Sequence, residues 1–137
     1  MIAYLDTSAA LRVLTVSPDA ALAALTEHTA RYLDDLLDRG ETLVSSVLLR
    51  TEILCQVNRQ PEIDTNEADV LVGMVNLAQL DASDLHDAPN APGRLRTLDA
   101  IHLTAALRIG ADVMIAYDEE LRRAAQAAGL RVGPEPI

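Results

Sequence analysis

Short apolar runs alternate along this chain with longer stretches of helical periodicity, and that alternation restricts the fold more than any other feature. Ile2–Leu5, Thr42–Val44, Leu77–Leu80 and Val113–Tyr117 read as strands, with Arg131 and Val132 as a further edge. Continuous apolar runs of this length suit strands buried on both faces, and strands separated by helices suit parallel pairing. Asp19–Arg39 carries Leu22, Leu25, Leu33, Leu36 and Leu37 on one stripe with Glu27, Asp34, Asp35 and Asp38 opposite, a surface helix closed by a left-handed Gly40. Asp64 and Glu67 form a capping-box variant that opens a helix through Asn76. His86–Gly93 is the main irregular loop. Helices Leu98–Ile109 and Glu119–Ala128 end at Gly110 and Gly129. The predicted fold is α/β, three layers α/β/α around a central, mostly parallel sheet of four to five strands, in one domain over residues 1–137.

In such sheets ligands bind outside the carboxyl ends of the strands. Tyr4-Leu5-Asp6 and Ala116-Tyr117-Asp118 each place an aspartate there, so the two acids meet if their strands are neighbours. Each aspartate alone could equally be a helix N-cap. Glu52 lies in SVLLRTEILCQV, a helix apolar nearly all round, where a carboxylate needs a partner. Asp99 opens TLDAIHLTAALRIG and shares a face with Leu103 and Ala106. A snorkelling Glu52 or a capping Asp99 is the plainer alternative for either residue singly. Four acids in one apolar cleft would repel each other unless a cation neutralised them. Carboxylates without a Cys or His cluster favour Mg2+ or Mn2+ over zinc.

The charge balance sharpens this. There are 11 Arg, no Lys and 21 Asp plus Glu, a formal charge of −10. Without lysine there is no Walker A loop, no Schiff-base enzyme and no phospho-aspartate site, and a cationic nucleic-acid-binding tail is excluded. With three Tyr and no Phe or Trp, the core is aliphatic and base-stacking platforms are missing. The lone Cys55 sits beside Ile53 and Leu54 and reads as a small buried hydrophobe. No apolar run approaches a membrane span or a signal-peptide core, so a cytoplasmic protein with no membrane contact is expected.

YLDTSA, VSSVLLRTEIL, LRTLDAIHLTAAL and IAYDEELRRAAQAAGL resemble, in order and spacing, the four motif segments of PIN-domain nucleases, and together they span residues 3 to 130. Within that family the chain is similar to the VapC-type toxins of toxin–antitoxin pairs. The resemblance implies a Mg2+-dependent or Mn2+-dependent endoribonuclease whose acidic quartet is Asp6, Glu52, Asp99 and Asp118, all four as metal ligands or catalytic groups. It gives Ser8, or its neighbour Thr7, the hydroxyl that orders water or metal beside Asp6. Family members often carry Thr or Ser two residues before the fourth acid, where this chain has Ala116. The family further implies an RNA substrate, a homodimer and a cognate antitoxin. At −10 the chain suits a partner whose inhibitory segment is basic.

His102, three residues after Asp99, could support the site, but a helix histidine among aliphatics is more often structural and it is left out of the site. Arg94 and Arg96 could contact phosphates, and Arg50 could pair with a carboxylate. Glu119 and Glu120 are most simply partners of the helix dipole. Two other functions fit the same residues: a PIN-fold binding module without catalysis, and a PIN-type DNA or flap nuclease.

Overall fold

The structure, a computed structural model, describes residues 1–136. Its strands are β1 (Ile2–Leu5), β2 (Thr42–Ser46), β3 (Asn76–Ala78), β4 (Val113–Ile115) and β5 (Arg131–Gly133), and its helices are α1 (Thr7–Leu14), α2 (Ala20–Asp38), α3 (Val47–Arg59), α4 (Thr65–Gly73), α5 (Ala82–Asp87), α6 (Thr97–Ile109) and α7 (Glu119–Ala127). A single 3-10 turn covers Ala88–Asn90. The strands form one sheet in the order β3-β2-β1-β4-β5, and every pairing is parallel, Leu5 lying opposite Ile115.

Side chains alternate across the strands. Ala3, Leu5, Leu43, Val113 and Ile115 face a layer made by α1, α2, α3 and α4, through Ala9, Leu14, Leu33, Leu36, Leu49, Ile53 and Leu71. Tyr4, Val44, Met114 and Ala116 face α6 and α7, through Leu103, Ala105, Ala106, Leu121 and Ala124. A fully buried Leu or Ile contributes roughly 1.5–3 kcal/mol, and the many buried alanines let α6 and α7 lie close against the strands. The order of the strands reverses between β1 and β4, so the crevice at their carboxyl ends is the natural place for a ligand.

Several boundaries differ from the sequence-based expectation. The helix opened by Asp64 stops at Gly73, and Asn76 pairs in β3 instead, its strand running to Ala78 rather than Leu80. Asp64 caps through the Glu67 N–H alone, while the reciprocal capping box is made by Asp81 and Asp84. The expected loop His86–Gly93 begins inside α5 and passes through the 3-10 turn, because that box nucleates a helical turn upstream of Pro89. α1 was absent from the pattern: its four buried residues, Thr7, Ala9, Ala10 and Leu14, include no strong apolar signal before the last. Cys55 is exposed, not buried, since α3 turns Leu49 and Ile53 inward and leaves the 55 position outside. Leu22 is 40 % exposed, because α2 begins beyond the edge of the core. Gly40 and Gly110 hold φ of 76° and 83°, closing α2 and α6 in the left-handed region as expected. Among the described residues no helix is long and apolar enough to cross a membrane.

Candidate active site

At the β1/β4 crevice a cleft of about 340 Å³ is lined by Asp6, Thr7, Ser8, Leu11, Glu52, Asp118 and the Arg96–Asp99 segment. All five residues singled out in the sequence therefore meet: Asp6, Ser8, Glu52, Asp99 and Asp118. Two of them sit where they do because a strand hands over to a helix. Asp6 ends β1 and caps α1, its Oδ2 accepting from the Ser8 N–H at 3.1 Å and the Ser8 hydroxyl at 2.6 Å. Asp118 caps α7, with Oδ1 accepting from the Leu121 N–H at 3.1 Å. The capping and cleft roles thus coexist, each carboxylate using one oxygen for its helix.

Ser8 joins the two strand ends. Its Oγ donates to Asp6 and accepts from the Tyr117 N–H at 3.1 Å, while the Asp6 N–H donates to the Ile115 carbonyl at 2.9 Å. Ala116 is fully buried and offers no hydroxyl, and Ser8 supplies the one that reaches the β4 end. α6 adds Asp99 in its first turn and Arg96 at its N-cap position, without a side-chain cap. Arg96 lies across two acids, 3.1 Å from Asp118 Oδ2 and 3.6 Å from Asp99 Oδ2, with 83 % of its side chain exposed. Burial, followed by the charges of Asp6 and Asp118, raises the Asp99 carboxyl above its ordinary range despite Arg96 and His102.

Glu52 enters from α3 and finds its partners at the base of the cleft. Its Oε1 accepts from the Thr7 hydroxyl at 2.8 Å and from His102 Nε2 at 2.5 Å. Burial alone would raise this carboxyl, but the His102 hydrogen bond and charge, with Thr7, hold it below the ordinary value. His102 is 1 % exposed, and its Nδ1 meets the hydroxyl of the fully buried Tyr4 at 2.7 Å. Burial would lower the imidazole, yet the Glu52 hydrogen bond and the charges of Asp6, Glu52 and Asp99 raise it. Burial pushes the Tyr4 phenol up to about 12, against the Ser46 and Ser45 hydroxyls. Thr7 was named in the sequence as the alternative to Ser8, whereas His102, left out of the site, and Tyr4 are the members of this network that the apolar pattern hid. The available signal was spacing: position 102 falls one helical turn after Asp99 on α6.

The unused oxygens define what the cleft can do. Asp6 Oδ1, Asp99 Oδ1 and Glu52 Oε2 receive no hydrogen bond from the described residues. Among the described residues no fully buried side-chain oxygen lacks a partner, so these three keep some exposure within the cleft that their residues line, Asp6 Oδ1 lying also 3.9 Å from His102 Nε2. Among the described residues no group of three His, Cys, Asp or Glu is drawn together tightly enough to hold an ion as it stands; the Arg96 guanidinium lies against Asp99 and Asp118, and the His102 imidazole against Glu52 and Asp6. The donor chemistry nevertheless fits a hard divalent ion, being all carboxylate oxygen with no thiolate.

Other sequence candidates lie elsewhere. Arg94 lines a separate cavity with Leu85, Pro89 and Ile101. Arg50 is exposed and makes no ion pair among the described residues. Glu119 lines a groove with Arg122 and Arg123 on the outer side of α7, and Glu120 is exposed.

A family model described as PIN domain matches residues 3–127. Ribonuclease VapC46 of Mycobacterium tuberculosis is 32 % identical over 132 residues, covering 94 % of this chain and 94 % of its own length. Ribonuclease VapC47 of the same species is 30 % identical over 131 residues, covering 92 % and 91 %. VapBC2 from Rickettsia felis, crystallised with a DNA fragment from its promoter, has a chain that superposes with a TM-score of 0.72 over 99 % of this chain and all of its own, at 14 % identity.

Proposed function

The chain belongs to the PIN domain family, and from that premise we propose that it is an endoribonuclease, the toxin of a toxin–antitoxin pair. Its relatives are named ribonucleases over nearly their whole length. The observation that carries the reading is the set of three open carboxylate oxygens, from β1, α3 and α6, in one cleft at the strand-order reversal.

In this reading Asp6, Asp99 and Asp118 hold Mg2+ or Mn2+, with Glu52 as ligand or water orienter. Such an ion polarises a phosphodiester oxygen and lowers the pKa of bound water. The chain's own groups do the rest. Ser8 fixes Asp6 Oδ2, leaving Oδ1 3.9 Å from His102 Nε2 and free of a hydrogen bond. Arg96 is exposed enough to leave Asp118 and Asp99 for a substrate phosphate, offering two parallel N–H donors. The uncapped first turn of α6 presents backbone N–H groups at Thr97 and Leu98, both lining the cleft, where the helix dipole favours an anion. With no lysine in the chain, arginine and backbone N–H are the cationic and dipolar contacts at its disposal.

The same reading carries a cytoplasmic homodimer and an antitoxin whose inhibitory segment is basic. A cationic peptide would compete with ion and substrate for the acids that now hold Arg96. The test is cleavage of RNA by the purified protein with Mg2+ or Mn2+, its loss in EDTA, and the Asp6→Asn variant. The variant should remain folded and lose nearly all cleavage. Full cleavage by Asp6→Asn, or cleavage undiminished in EDTA, refutes the assignment.

A further inference from the structure

Beneath the cleft runs a line of hydrogen bonds that no open carboxylate needs for its own solvation. Tyr4 OH meets His102 Nδ1 at 2.7 Å, His102 Nε2 meets Glu52 Oε1 at 2.5 Å, and Thr7 Oγ1 reaches the same Oε1 at 2.8 Å and Nε2 at 3.2 Å. The line spans four elements, β1, α6, α3 and α1, and its two interior members, Tyr4 and His102, are essentially inaccessible. A glutamate on a helix has three rotatable torsions, so an unrestrained Glu52 would spread its carboxylate over several positions and lose entropy on being fixed. Here one oxygen is held from two directions, and the other is left facing the cleft.

We propose that Tyr4 and His102 are positioning residues that fix Glu52, so that Oε2 is preset toward the bound divalent ion or its water. A carboxylate oxygen can only accept, so His102 Nε2 carries the proton facing Glu52 in either charge state of the ring. Tyr4 selects that orientation. Its hydroxyl engages Nδ1 inside the core and keeps the imidazole from flipping, as outer partners do for groups around metal sites. Thr7, next to Asp6 and first in α1, adds the second donor, which ties the start of that helix to the same carboxylate.

This inference rests on the metal-dependent reading above, and two substitutions at one position separate it from a merely structural histidine. His102→Gln keeps a donor near the Nε2 position, whereas His102→Asn keeps a polar group only near Nδ1. Mn2+ binding to the full-length protein is measured by calorimetry, with thermal unfolding of each variant alongside. His102→Gln should bind Mn2+ within about threefold of the wild type, and His102→Asn should bind about 10- to 100-fold more weakly, with similar losses of Tm in both. Equal Mn2+ affinity in the two variants overturns the inference. Tyr4→Phe, which removes one oxygen and preserves the packing, should weaken Mn2+ binding severalfold, and unchanged affinity there also overturns it. In the metal-free protein the imidazole nitrogen shifts should place a proton on Nε2, and a ring protonated on Nδ1 alone is incompatible with the proposal. Asp99→Asn is the control. Loss of Mn2+ binding there, with the two His102 variants alike, removes the positioning role and leaves the nuclease reading standing. Failure of the wild type to bind Mn2+ overturns both.

Discussion

Neutralising Asp99 should abolish activity and make the metal-free protein more stable. Asp99 is 21 % exposed, lies in the first turn of α6, and its carboxyl is raised by burial and by the charges of Asp6 and Asp118. Two effects favour the charge. The helix dipole returns about 0.5 kcal/mol, and the exposed Arg96 returns no more than about 0.5 kcal/mol. The upward direction of the carboxyl means that burial and the two like charges outweigh both. Discounted for solvent screening, Asp99→Asn should stabilise the apoprotein by about 0.5–1.5 kcal/mol, in line with other relieved functional sites. For a domain of this size that is a rise in Tm of roughly 2–6 °C. The sign with pH follows from a raised folded-state value. The penalty is complete above the folded pKa and fades as pH falls through it toward the unfolded carboxylate value of about 3.9. Thermal or urea unfolding in EDTA at pH 7 and pH 4 should therefore show the advantage of Asn at pH 7 and little of it at pH 4. Saturating Mn2+ should reverse the order, since an ion at 100 times its Kd adds about 2.7 kcal/mol to the wild type alone. An Asn variant less stable than the wild type in EDTA at pH 7, or an advantage unchanged at pH 4, would refute the account.

Three further outcomes test other parts of the structure. Ser8→Ala should cut cleavage and also cost about 1–3 kcal/mol, because the Tyr117 N–H and Asp6 Oδ2 both lose their hydroxyl partner; unchanged chemical denaturation would show that the bridge between the strand ends does not bear on stability. Asp84 is 1 % exposed, and the Arg108 guanidinium holds its carboxyl below the ordinary range through hydrogen bonds of 2.8 and 2.9 Å. Its stabilisation should be present above the unfolded carboxylate value and disappear as pH falls through the depressed one, so wild type and Asp84→Asn should differ at pH 7 and converge in acid urea titrations. Leu103→Ala, at a fully buried position between α6 and the sheet, should cost about 3 kcal/mol and lower Tm without abolishing Mn2+ binding, which separates core loss from damage to the cleft.

The acids were legible because chemistry singled them out: an aspartate closing an apolar run, or a glutamate inside an apolar helix, stands against its local background. The α/β class was legible for the related reason that buried strands are continuous apolar runs. α1 escaped because Thr7, Ala9 and Ala10 are too small to generate a periodic apolar signal, although they are buried by close approach to the sheet. Cys55 was misplaced because flanking leucine and isoleucine say nothing about which side of α3 faces inward. His102 is the instructive omission. Its meaning depends on Tyr4, 98 positions away, and on Glu52, 50 positions away, and no local pattern records a hydrogen bond of that kind.

The pairing of β1 with β4 also sets when the cleft can exist. Asp6 is made first on the ribosome, but the strand that lies against it begins at Val113, and Asp118 follows still later. Loops of that length close late relative to local helices. A nascent chain therefore carries helices and part of the sheet before it carries any assembled cluster of acids. For a nuclease, the order of the strands ties the chemistry to the arrival of β4: a chain that stops short of Asp118 cannot assemble the cluster.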